Sequence, residues 1–78
     1  MKTYVFSIEL KEEVDGRWST WAPNFPGLTT WGHTKDEALR NMHDAAEAYL
    51  EDLIEAGEPL PAAGKIEILE SPAVAVTL

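Results

Sequence analysis

One helical programme, written into residues 25–57, constrains this chain more than anything else in it. Thr34 is a good N-cap, because its hydroxyl can accept a hydrogen bond from a main-chain N–H that the first helical turn leaves without a partner. Glu37 follows three residues on and completes the pattern of a capping box. Asp36 and Glu37 place negative charge at the positive end of the helix dipole. Ala38, Met42, Ala45, Tyr49 and Leu53 recur at helical spacing, and Leu39, Ala46, Leu50 and Ile54 widen the apolar stripe. Gly57 can take the left-handed conformation that ends a helix, and Pro59 and Pro61 prevent a restart. The spacing therefore predicts a helix over residues 35–56, and the rest of the chain has to supply a surface for it to cover.

That surface reads as a sheet. Residues 3–11 alternate, with Tyr4, Phe6, Ile8 and Leu10 on one face and Val5, Ser7, Glu9 and Lys11 on the other, which predicts a half-buried strand. Asp15-Gly16 is a strong turn signal. Residues 17–22 then return, with Trp18, Thr20 and Ala22 facing one way and Ser19 and Trp21 the other. The run Pro23-Asn24-Phe25-Pro26-Gly27 must be a bend, since proline has no N–H to give to a ladder. Residues 28–32 form a third predicted strand, with Thr29 and Trp31 on the face opposite Leu28 and Thr30. After the helix, residues 65–69 alternate as a fourth strand, Pro72 interrupts, and Val74, Val76 and Leu78 alternate again. The order is β-β-β-α-β: an α+β, two-layer sandwich of an antiparallel meander, one long helix and one or two C-terminal strands. Tyr4, Phe6, Ile8, Leu10, Trp18, Leu28 and Ile66 are the expected lining under the helix.

A lone helix covers one sheet face and leaves the other bare. On this alternation Trp21 and Trp31 project from the bare face with Val5 near, an apolar patch of the kind monomers seldom expose. Two readings stand open: the indoles form a partner or subunit interface, where Trp is enriched, or a one-residue shift of register turns them into the core. The tail Val74, Val76 and Leu78 is expected to pair along a neighbour's sheet edge, so the chain reads as a homo-oligomer, a dimer or a tetramer.

Composition narrows the function. At 78 residues the chain is one domain, 1–78, close to the size where a single core barely suffices. It has no cysteine, which removes disulfides and thiolate zinc sites. The start Met1-Lys2-Thr3-Tyr4-Val5 carries no signal-peptide pattern and no apolar run approaches membrane-spanning length, so a soluble cytoplasmic protein is expected. A net charge of −8 argues against direct nucleic-acid binding and favours a basic protein partner. The acids gather at Glu12, Glu13 and Asp15 on the hairpin, the expected acidic partner surface, and at Asp44, Glu47, Glu51, Asp52, Glu55 and Glu58 along the helix. On the helix they serve equally as a solvated face.

No catalytic constellation emerges. His33 precedes the N-cap, and His43 has Glu47 at i+4, an arrangement that orients a metal ligand or a base but more commonly makes a surface ion pair. Glu9, Asp15, Glu47 and Glu51 do not converge as a two-metal nuclease requires. Gly27 and Gly32 fit no phosphate-binding spacing and read as turn and bulge positions. No catalytic residue, metal or cofactor is expected.

Taken in order, Asp15-Gly16-Arg17-Trp18, then Ala22-Pro23-Asn24-Phe25-Pro26-Gly27, then Thr30-Trp31-Gly32-His33-Thr34-Lys35-Asp36-Glu37-Ala38-Leu39, this chain resembles the HicB-like antitoxin family. Tyr49-Leu50-Glu51 and Gly57-Glu58-Pro59-Leu60-Pro61 resemble that family's helix end and tail. Asn24 stands where the family usually has an acid, Leu28 where it often has cysteine, and Trp31 where a polar residue is usual. The resemblance implies a truncated ribonuclease-H-like fold; many members of that family add a C-terminal DNA-binding domain, for which a chain ending at Leu78 is expected to have no room. It also implies a protein partner, a small basic HicA-type toxin that cleaves mRNA. The alternatives are an orphan oligomeric domain with a different or lost partner, and a residual metal-dependent ribonuclease.

Overall fold

A computed structural model of the chain describes residues 2–60 and 72–78. Its elements are β1 (Thr3–Ser7), β2 (Glu9–Glu12), β3 (Trp18–Trp21), β4 (Thr29–Gly32), α1 (Lys35–Ala56) and β5 (Ala73–Thr77). Among the described residues the pairings are antiparallel: β1 with β5, β2 with β3, and β3 with β4. This is the expected β-β-β-α-β order, with the helix across one side. The expected fourth strand at residues 65–69, with Ile66, lies outside the described residues.

The first expected strand is divided at Ile8. Lys2 exchanges both main-chain hydrogen bonds with Leu78, and Ile8 donates to Pro72 at 3.0 Å. By the two-residue alternation of an antiparallel ladder, the even-numbered residues of β1 face β5. Pro72 has no N–H to return, so that ladder closes at Ile8. On the opposite edge, Glu13 donates to Arg17, and the same alternation turns the odd-numbered residues of β2 toward β3. The chain passes from one partner strand to another at Ile8, and the two short ladders form a stepped surface.

This pairing ties the tail to a strand of its own chain. Val76 lies opposite Tyr4 and Val74 opposite Phe6, within one chain. Both valines are buried in the core and so present no side chain to a neighbour, whereas Leu78 remains exposed. Alternation told which face these residues occupy but not which strand they join.

Helix α1 has the expected bounds. Glu37 N–H donates to Thr34 Oγ1 at 3.1 Å, which caps the first turn. The return contact differs from a standard capping box: Glu37 Oε1 accepts from the backbone N–H of His33, one residue earlier than the cap, at 3.2 Å. At the far end Gly57 has φ +70°, Gly57 N–H donates to Ile54 and Glu58 N–H to Leu53, the paired bonds of a Schellman ending. Ala38, Met42, Ala46 and Leu50 are fully buried at a spacing of four along one helix face. Leu39, Ala45 and Tyr49 pack at the margin of the core, and Ile54 is exposed.

The sheet side of the core is Tyr4, Phe6, Ile8, Ala22, Leu28, Val74 and Val76. Leu10 and Trp18, expected with them, are only half-buried. The proline-rich bend is clamped to the helix: Phe25 lies 5.1 Å from Phe6 and 5.8 Å from Tyr49 between ring centroids. The Tyr49 hydroxyl donates to Pro26 O at 2.9 Å. Gly27, at φ +84°, makes the turn that the sequence assigns to it. Gly32 does something else. A Cβ there would sit within 2.9 Å of Ala38 Cα and closer still to the Ala38 nitrogen, so its role is close approach of β4 to the first turn of the helix and not bulge geometry. No helix among the described residues is long and apolar enough to cross a membrane.

Candidate protein-interaction surface

The side of the sheet away from α1 is a small grid of side chains. Across the strands, Glu9 lies opposite Trp21 and Trp21 opposite Thr29; two residues along, Lys11 lies opposite Ser19 and Ser19 opposite Trp31. Trp21 is 36 % and Trp31 48 % exposed, while Thr20 between them in alternation is fully buried. The register that turns the indoles outward is thus the one the fold adopts, and the reading that placed them in the core is removed. Val5 is half-buried on the same face, opposite Ala75.

The grid has a hollow. Ser19, the smallest of its central residues, stands between Trp21 along its own strand and Trp31 across the ladder. A groove of about 600 Å³ opens there, floored by Ser19 and Thr29 and walled by Trp31, Arg17 and the hairpin tip. At that tip Val14 is wholly exposed. The Arg17 guanidinium stacks 5.1 Å from the Trp31 ring centroid, and His33 packs edge-on to the same indole at 5.2 Å. Neither the stack nor the hollow was read from the sequence. The signal was there in part: a serine flanked by two bulky residues at the alternate positions of adjoining strands.

The hairpin acids are largely answered from within the hairpin. Arg17 donates through its backbone N–H to Asp15 Oδ1 at 3.1 Å and through Nε to Asp15 Oδ2 at 2.7 Å. The first of these bonds is the main reason that the Asp15 carboxyl titrates below its ordinary value. Glu13 accepts from Ser19 Oγ at 2.9 Å and has Lys11 Nζ at 3.9 Å. Glu12 is exposed. The helix is different. From residue 41 to 60 the sequence holds six carboxylates (Asp44, Glu47, Glu51, Asp52, Glu55 and Glu58) and no Lys or Arg. The last turn of α1 has no basic residue, so carboxylates stand at the end of the dipole where negative charge is disfavoured.

His43 contacts Asp44, its neighbour in sequence, at 3.5 Å, and makes no hydrogen bond to Glu47. No group of three or more His, Cys, Asp or Glu capable of holding a metal ion occurs among the described residues. What the surface offers chemically is apolar contact, cation–π stacking and ion pairing, which is the equipment of a binding face.

Comparison with known proteins gives the chain relatives and structural neighbours. A family model described as the HicB-like antitoxin of bacterial toxin–antitoxin systems matches residues 4–74. A UPF0150 protein of Synechocystis is 34 % identical over 58 residues, covering 74 % of this chain and 73 % of that protein. A UPF0150 protein of Thermoplasma acidophilum is 36 % identical over 56 residues, covering 72 % and 81 % respectively. Among solved structures, the N-terminal domain of the Burkholderia pseudomallei antitoxin HicB superposes with a TM-score of 0.67 at 24 % identity, over 95 % of this chain and 96 % of that one. A second structure of the Burkholderia pseudomallei antitoxin HicB gives 0.64 at 26 % identity, over all of this chain and 63 % of that one.

Proposed function

Because this chain belongs to the HicB-like antitoxin family of bacterial toxin–antitoxin systems, we propose that it binds and neutralises a small basic toxin of the HicA type in the cytoplasm, by protein–protein contact and without catalysis of its own. The carrying observation is family membership, joined to a surface built for binding. Charge supports the choice of partner. The chain is at −8, and the carboxylates along the second half of α1 have no Lys or Arg neighbours in sequence to neutralise them. An RNA-cleaving toxin must be basic where it meets phosphates, and an acidic face competes for that same surface. The fit is steric as well as electrostatic, since a rigid helix-backed sheet laid over such a surface excludes RNA from it.

The test is co-expression with a small basic toxin of the HicA type, taken from the gene neighbourhood of this chain where one is encoded there. The expected result is rescue of growth that the basic protein alone arrests, and a complex that survives purification at low salt and weakens as salt rises. Continued arrest with no complex overturns the toxin assignment and leaves a HicB-like domain with another partner.

A further inference from the structure

We propose that the groove between the hairpin tip and Trp31 receives an arginine side chain presented by the protein partner. The inference rests on the reading of that partner as basic, and it names a place where one of its cations is held. The lining selects the occupant. Ser19 Oγ donates its proton to Glu13 Oε1 at 2.9 Å, and Thr29 Oγ1 donates its own to Thr20 O at 3.2 Å. A hydroxyl has one hydrogen to give, so these two floor residues turn only lone pairs toward the groove. The Ser19 bond also fixes the Glu13 carboxylate, whose second oxygen has Lys11 Nζ no nearer than 3.9 Å and is left able to accept. Acceptors without donors call for a donor, and a carboxylate among them calls for a cation. An anion would meet Glu13 and Asp15 here, and an apolar side chain would leave the acceptors without partners.

The indole decides between lysine and arginine. The Arg17 guanidinium lies 5.1 Å from the Trp31 ring centroid, so this ring already accepts a planar cation. Arg17 itself does not serve the floor, because its side-chain hydrogen bond goes to Asp15 Oδ2 at 2.7 Å. A second guanidinium brings five N–H donors in one plane, enough for Glu13, Ser19 and Thr29 while a flat face lies along Trp31; an ammonium has three donors and no face to stack. At about 600 Å³ the groove has room for the side chain and its stem. The carboxylates of α1 then attract a basic partner from a distance, and the groove fixes its position on contact.

The experiment is an NMR titration of the full chain with blocked Gly-Arg-Gly, against the neutral isostere Gly-citrulline-Gly and against Gly-Lys-Gly. The arginine peptide is expected to shift the Trp31 indole and the Ser19 and Thr29 amides, the lysine peptide to shift them less, and the citrulline peptide to leave them in place. Glu13→Gln removes the charge and Trp31→Ser the stacking wall; both side chains lie outside the core, so both variants are expected to fold, as circular dichroism checks, and to lose the Ser19 and Thr29 shifts. Glu51→Gln on the helix makes the same change of net charge as Glu13→Gln and is expected to keep them. The proposal is overturned if the arginine peptide moves none of these signals, if citrulline moves them equally, or if Glu51→Gln abolishes the shifts as Glu13→Gln does. No toxin enters this titration, so its outcome stands apart from that of co-expression: rescue without arginine binding removes the groove alone, and arginine binding without rescue removes the toxin assignment alone.

Discussion

Thr20 is fully buried on the middle strand of the meander, and its Oγ1 has no hydrogen-bond partner among the described residues, although its carbonyl accepts from Thr29 Oγ1 at 3.2 Å. A buried hydroxyl without a partner carries its desolvation cost uncompensated. Thr20→Val keeps the shape and removes the hydroxyl, so it is expected to stabilise the fold by about 1 kcal/mol, which in a domain this small raises Tm by roughly 4–8 °C. Thermal melting checks this, and a lower Tm would mean that the hydroxyl has a partner in solution. Asp15 supplies the pH dependence at this scale. Its folded-state pKa lies below the ordinary aspartate value of 3.8, chiefly through the Arg17 backbone N–H. A depressed carboxylate pKa contributes stability above the unfolded value, and that contribution is lost as pH falls through the folded one. The hairpin is therefore expected to hold its Asp15–Arg17 contacts at neutral pH and release them only below the usual aspartate range. Carboxyl chemical shifts followed by NMR should show Asp15 titrating at lower pH than it does in Asp15-containing peptide fragments.

The elements show what periodicity can and cannot convey. Helix α1 was legible from end to end, because its cap, its stripe and its terminal glycine are all local and agree with one another. The outward indoles were legible too, since a period of two fixes the face of every residue in a strand once one is placed. Partnership was not legible. The break at Ile8 depends on Pro72, which is distant in sequence, and β5 reaches β1 for reasons that its own residues do not state. The Ser19 hollow was half legible: the serine is visible in the alternation, whereas the swing of Arg17 onto Trp31 depends on the pairing that closes the hairpin. Placing β5 within its own chain has a consequence for stability. Val76→Ala is expected to cost about 2 kcal/mol, and the loss should be independent of protein concentration, whereas Thr77→Ala on the exposed side should cost far less. Denaturant titration at two protein concentrations separates this from a tail shared between subunits, whose loss would be concentration-dependent.

At the scale of the molecule, the described residues set one helix against two sheet faces, and the sequence distributes its charge unevenly. Tyr4, Phe6, Ile8, Met42, Leu50 and Val76 make a single core on the helix side, which is modest for a chain of 78 residues. The family was legible at this scale through the ordered run of short motifs, where no single motif would have sufficed. The partner's identity was not legible, because charge gives only the sign of what binds. The fold is also closed by its most distant parts. Lys2 and Leu78 exchange main-chain hydrogen bonds, and the Thr3 and Thr77 hydroxyls meet at 2.9 Å across a separation of 74 positions. Val74 and Val76 cannot enter the core until nearly every residue before them has been synthesised. Until β5 has been synthesised, Tyr4, Phe6 and Ile8 therefore lack their edge partner, and the nascent core stays open on that side.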